Sequence, residues 1–80
     1  MAGAVLQVMV TSPERVLFEG PAKSLTCPGE QGTFEVLPLH RPLISRLLSG
    51  TLVIDGRPLA VRRGILRVAD DVVTAAVELP

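Results

Sequence analysis

Tryptophan and tyrosine are absent from this 80-residue chain, and phenylalanine occurs only at Phe18 and Phe34. Without aromatic platforms beside its basic residues, the chain is poorly suited to stack on nucleic-acid bases. The single cysteine, Cys27, excludes an internal disulfide. Lys and Arg balance Asp and Glu, leaving no net charge, which argues against long-range attraction to nucleic acid or anionic lipid. No apolar run approaches the roughly 20 residues that a membrane-spanning helix needs. Met1-Ala2-Gly3-Ala4 lacks the basic start and long apolar stretch of an export signal. The expectation is a soluble, cytoplasmic protein whose membrane association comes only through a partner.

Catalytic and metal-binding patterns are also missing. The only imidazole is His40, and no Gly-x-Ser-x-Gly elbow surrounds any serine. One His and one Cys are too few for a metal site, which needs three or four convergent ligands. Gly29-Glu30-Gln31-Gly32 resembles a phosphate loop only in its glycines. The lysine and following helix are missing, and Glu30 would repel phosphate. Asp70-Asp71 is a carboxylate pair, but adjacent turn residues point apart, so it reads as turn chemistry rather than shared acid–base work. Cys27, at a strand end, reads as a packing residue. The chain is therefore expected to be non-catalytic and to need no cofactor.

What is present is aliphatic and strand-like. Apolar residues make up 48% of the chain, almost all of them aliphatic, and β-branched side chains suit pleated packing. An 80-residue chain makes one domain, here 1–80, and buries roughly 60–65% of its unfolded surface. Val5 to Val10 reads as a mostly buried strand. Val16 to Glu19 follows, closed by Gly20-Pro21, and Ala22 to Cys27 reads as a weaker edge strand with Pro28 and Gly29 as punctuation. Thr33 to Leu37 is a strand stopped by Pro38. Leu43 to Leu48 fits a helical turn or a strand, and Pro42 behind with Gly50 ahead favours the strand. Thr51–Ile54 and Arg57–Val61 flank Asp55-Gly56, a hairpin signal that sends Pro58 toward a sheet edge. Arg62-Arg63-Gly64 turns the chain, and Ile65–Ala69 and Val72–Val77 pair around Asp70-Asp71. About nine or ten short strands with closely spaced turns predict an all-β sandwich or barrel. The expected core is Leu6, Val8, Leu25, Phe34, Val36, Leu52, Ile54, Leu66, Val68 and Val73. Truncating Phe34 to Ala is expected to cost about 3–5 kcal/mol, enough to unfold so small a domain.

The most distinctive stretch is Cys27 to Leu47. Pro38 and Pro42 bracket Leu39-His40-Arg41 and restrict the shape of this tip. A stiff tip loses little entropy on docking, so it suggests recognition of a partner. His40 reads either as an inconsequential loop histidine or as a hydrogen-bonding interface contact, and the residues alone do not choose.

Two segments carry a family resemblance. PGEQGTFEVLPLHRPLI, from Pro28 to Ile44, resembles the signature loop of the epsilon subunit of F-type ATP synthases, and TSPERVLFEGPAKSLT, from Thr11 to Thr26, resembles that family's opening strands. The chain departs at Glu35 and Leu39, where the family commonly has glycine, at Thr33, where an acidic residue is common, and at Arg62-Arg63, where small residues are usual. The resemblance implies a two-sheet antiparallel β-sandwich that grips the gamma subunit of the rotating central stalk, with its histidine-bearing loop resting on the c-ring. It favours the interface role for His40. It implies an interface of His40, Arg41, Pro42, Leu43 and Ser45, with His40, Arg41 and Pro42 facing the ring and Ser45 meeting the stalk. It further implies a peripheral location at the cytoplasmic face of a bacterial plasma membrane, coupling ion flow to ATP synthesis. Family members commonly continue into two helices that inhibit hydrolysis and sometimes bind ATP. Since this chain stops at Pro80, the expectation is a coupling component without inhibitory switch or nucleotide site. The contrasting reading is a free-standing β-sandwich that binds a small ligand or another soluble partner.

Overall fold

Alternation in sequence becomes alternation in burial from the first strand onward. The computed structural model describes residues 4–80, and its nine strands are the only regular structure among them. They are β1 (Leu6–Thr11), β2 (Val16–Ala22), β3 (Leu25–Gly29), β4 (Gly32–Val36), β5 (Leu43–Leu47), β6 (Gly50–Ile54), β7 (Arg57–Val61), β8 (Arg63–Ala69) and β9 (Val72–Glu78). In β1, Leu6, Val8 and Val10 are buried while Gln7 and Met9 face out. In β9, Val73, Ala75 and Val77 repeat the pattern, the period-2 signature of a sheet with one buried face.

The strands form two halves of one continuous hydrogen-bonded sheet. One half runs β2-β1-β9-β8-β5 and the other β4-β3-β6-β7. The join lies at β3. Its Leu25 and Thr26 pair with Ile54 and Val53 of β6, whereas Gly29 pairs with Leu47 of β5. One edge of β3 thus passes from one half to the other. Buried side chains from all nine strands meet in a single cluster, so the halves fold face to face over one aliphatic core, a β-sandwich. All pairings are antiparallel except β1 with β9, which run parallel from Gln7↔Val72 to Thr11↔Ala76. Alternation along a strand does not encode the direction of its neighbour, so this pairing had no sequence signal.

Nine of the ten expected core residues are buried; Phe34 is the exception, packed half-buried against the cluster. It sits on β4, opposite Cys27, where the core opens toward solvent. Its truncation therefore forfeits less than a fully buried side chain would, and the aliphatic centre carries the larger burden. Val10, Ala22, Cys27, Leu47, Val61, Ala75 and Val77 complete the core.

Three expected boundaries shift. Gly20 and Pro21 lie inside β2, at the outer edge of the sheet, where proline is accommodated. Pro28 and Gly29 lie inside β3, which is an interior strand and not an edge. The Pro28 carbonyl accepts from Leu48 N–H at 2.8 Å, so the nitrogen of Pro28 faces the same side, at the handover from β6 to β5. The reciprocal bond to the Leu48 carbonyl, which an N–H at this position would make, is absent. Arg63 and Gly64 begin β8 rather than turning the chain, and Arg63 Nε lies 3.2 Å from Glu78 Oε1 on β9. As expected, Pro58 lies on β7, an edge strand.

Both aspartate turns are realised with positive φ, at Asp55 (48°) and Gly56 (81°) and at Asp70 (52°) and Asp71 (61°). Each turn also clamps a distant loop. Asp55 Oδ1 accepts the N–H groups of Lys23 and Ser24 at 2.8 and 3.0 Å, fixing the β2–β3 connection. Asp71 Oδ1 accepts Leu39 N–H at 2.7 Å.

Candidate docking groove and tip

The tip between β4 and β5 is a four-residue turn. Pro38 occupies its second position, Leu39 has φ of 69° at the third, and His40 N–H donates to Leu37 O at 3.1 Å. Proline followed by positive φ is the arrangement of a type II turn, in which the third residue is ordinarily glycine. Leu39 is 84% exposed.

His40 follows directly. Its Nδ1 lies 2.7 Å from the Arg41 carbonyl oxygen, which can only accept, so Nδ1 carries the proton. In the neutral ring, Nε2 is then the acceptor. This bond turns the ring back along the chain and fixes its tautomer. Arg41 and Pro42 are exposed, and Arg41 makes no ion pair among the described residues.

On β5 the side chains alternate. Leu43, Ser45 and Leu47 face inward, opposite Val68, Leu66 and Gly64 of β8, while Ile44 and Arg46 face out. The Ser45 hydroxyl donates to Arg46 O at 3.0 Å. Between β5 and the β3–β4 turn lies an open groove of about 510 Å³, lined by the Gly29–Phe34 hairpin on one side and by His40, Arg41, Leu43 and Ser45 on the other. Of the five expected interface residues, four line this groove and Pro42 stands beside it, exposed.

The sequence did not single out the opposite wall. Glu30, Gln31 and Phe34 reach the groove because β3 meets β5 at Gly29↔Leu47, a contact between segments far apart in sequence. The wall is held close by Phe34, whose ring lies over Gly29; a Cβ there would sit 2.7 Å from the ring.

The groove mixes one imidazole, one guanidinium, one carboxylate and backbone groups with the apolar side chains of Phe34 and Leu43. Such a surface can hydrogen-bond and pack against a protein partner. It has no nucleophile held by a base. Among the described residues no group of three or more His, Cys, Asp or Glu converges as a metal site. Cys27 is fully buried in the core, and loss of solvent pushes its thiol up to about 12, leaving it protonated and unreactive in the folded chain.

Comparison with known proteins places the fold in a family. A family model described as the beta-sandwich domain of the ATP synthase Delta/Epsilon chain matches residues 5–78. The chain is 47% identical to an ATP synthase epsilon chain of Bordetella petrii, covering 89% of this chain and 54% of that protein. It is 38% identical to an ATP synthase epsilon chain of Nitratiruptor, covering 91% and 60%. It thus spans somewhat more than half the length of these relatives. Among solved structures, a chain of the Euglena gracilis mitochondrial ATP synthase, in an assembly of OSCP, F1 and c-ring, superposes with a TM-score of 0.83 at 21% identity, covering 94% of this chain and 51% of that one. A chain from the central stalk and c-ring of the Tetrahymena thermophila mitochondrial ATP synthase gives 0.80 at 13% identity, covering 91% and 63%. These likenesses concern the fold, and the family model with the curated relatives extends it to descent: the chain belongs to the ATP synthase delta/epsilon chain β-sandwich family.

Proposed function

We propose that the chain is a non-catalytic central-stalk component of a rotary F-type ATP synthase, holding the gamma subunit and the c-ring together so that ion flow is coupled to ATP synthesis. The observation that carries this reading is the stiffened tip with His40 and Arg41, mounted beside a groove in a domain of this family. The role is mechanical. A β-sandwich with an interlocked aliphatic core transmits force without deforming, since packed interiors have low compressibility. A tip restricted by Pro38 and by the Leu39 turn keeps its shape under that load. His40, Arg41 and Pro42 face the ring, Ser45 lies toward the stalk, and Leu43 belongs to the same interface. Membrane association comes through the complex, at the cytoplasmic face of a bacterial plasma membrane.

In reconstituted complexes, His40→Ala with Arg41→Ala is expected to lower proton-pumping efficiency while leaving the melting temperature within a few degrees. Both side chains lie outside the core, and each interface contact is worth about 1 kcal/mol if partly hydrated. Pumping equal to that of the unaltered complex would remove the tip from the mechanism.

A further inference from the structure

Leu39 combines three features that ask for an explanation together. It holds a left-handed backbone conformation, with φ of 69°, that side chains other than glycine, asparagine and aspartate rarely adopt. It is an apolar residue 84% exposed at the apex of the tip, beside the exposed Leu37. Its N–H points away from its own turn and donates to Asp71 Oδ1 at 2.7 Å, across 32 positions of sequence.

Asp71 is well mounted for that task. It is the second residue of the tight turn joining β8 to β9, itself at φ of 61°. Its carbonyl oxygen accepts Gln7 N–H at 2.8 Å, tying the turn to the start of β1. The carboxylate thus extends from a point fixed by three strands to the one backbone donor whose direction defines the strained residue. A charged acceptor at this distance forms one of the stronger hydrogen bonds available to a backbone N–H.

We propose that Asp71 is a positioning residue for the docking tip: its carboxylate holds Leu39 in the left-handed conformation, so that the Leu39 side chain is presented as an apolar contact and His40 is aimed beside it. This rests on the docking role proposed above and adds Leu39 to the contact surface. Without the carboxylate, Leu39 relaxes to negative φ and the turn swings, displacing Leu39 and His40 together while the sandwich stays intact.

Two variants separate this role from a merely structural one. Asp71→Gly keeps the positive φ of the β8–β9 turn and removes the acceptor. Asp71→Asn tolerates the same φ and keeps an oxygen acceptor. Amide hydrogen exchange at Leu39, followed by NMR on the 80-residue chain, is expected to accelerate at least tenfold in Asp71→Gly and to stay close to the unaltered rate in Asp71→Asn. Affinity for a rotary complex stripped of its own epsilon subunit is expected to fall about tenfold in Asp71→Gly, in line with release of a residue held in a sparsely populated conformation, and to be largely kept in Asp71→Asn. Unchanged Leu39 exchange in Asp71→Gly would overturn the latch. Faster exchange with unchanged affinity would overturn its role in docking. Failure of the unaltered chain to bind the stripped complex would remove the docking reading and this inference with it, an outcome distinct from Asp71→Gly binding as well as the unaltered chain.

Discussion

Leu66→Ala is expected to destabilise the folded chain by about 2–5 kcal/mol. Leu66 is fully buried at the middle of β8, with Ala75 of β9 on one side and Ser45 of β5 on the other. Both neighbours are small, so neither can swing in to fill the space left by an isobutyl group, and the cavity term persists. A chain of this length has roughly 4–12 kcal/mol of total stability on the usual per-residue scale. The substitution therefore removes a large fraction of it and lowers the melting temperature by about 8–40 °C. Thermal unfolding followed by circular dichroism reads this directly. A shift of only a few degrees would mean that the core collapses around the gap, contrary to an interlocked sandwich.

Gly64→Ala is the second large effect, and it works by excess rather than by loss. A Cβ at Gly64 would lie 2.6 Å from the Ala76 carbonyl oxygen and 2.9 Å from Val77 Cγ1. The first of these contacts is backbone in the paired strand β9, so no rotamer change relieves it. Either β8 moves away from β9 near Gly64↔Val77 or the ladder frays. Overpacking of this kind costs about 1–3 kcal/mol, occasionally more. Since Gly64 also opposes Leu47 of β5, the disturbance reaches the strand that carries the groove. Urea unfolding should show a lower midpoint for Gly64→Ala, with loss of ladder protection concentrated at the start of β8 and the end of β9. A midpoint equal to that of the unaltered chain would show that the strands separate at no cost.

The elements read correctly from sequence are those whose signal is local. Asp55-Gly56 and Asp70-Asp71 declare tight turns because their residues tolerate positive φ, and β6, β7, β8 and β9 follow from the alternation on either side. Pro42 and Gly50 bracket β5 in the same way. The errors fall where long-range pairing decides. Pro28 and Gly29 look like punctuation, yet they end an interior strand, because the side of β3 that proline leaves without a donor faces the seam between the two halves. Phe34 looks like a core anchor by size and apolarity, but its strand pairs only with β3 and its ring lies over Gly29 in the wall of the groove. The parallel pairing of β1 with β9 joins opposite ends of the chain and leaves no trace in either strand.

The candidate site divides along the same line. The tip was legible through its prolines and its single histidine, and the resemblance supplied Ser45 and Leu43. The β3–β4 wall of the groove and the bond from Leu39 to Asp71 depend on contacts between segments brought together only by the fold. Leu39 and Asp71 were each visible as a tip residue and a turn residue, but nothing in their local sequences pairs them.

A central-stalk role requires the tip to touch the c-ring in an assembled complex. Arg41→Cys places a thiol at an exposed position, and Cys27, fully buried with its thiol pushed up to about 12, does not compete for reagents in the folded chain. A photo-activatable cross-linker attached to that thiol, in a reconstituted rotary complex containing gamma and the c-ring, is predicted to yield a covalent product with a c-ring subunit. The same preparation should retain the chain through co-purification with gamma. A chain that separates from gamma, or a cross-linker that captures no ring subunit while the complex remains assembled, would contradict the proposed role.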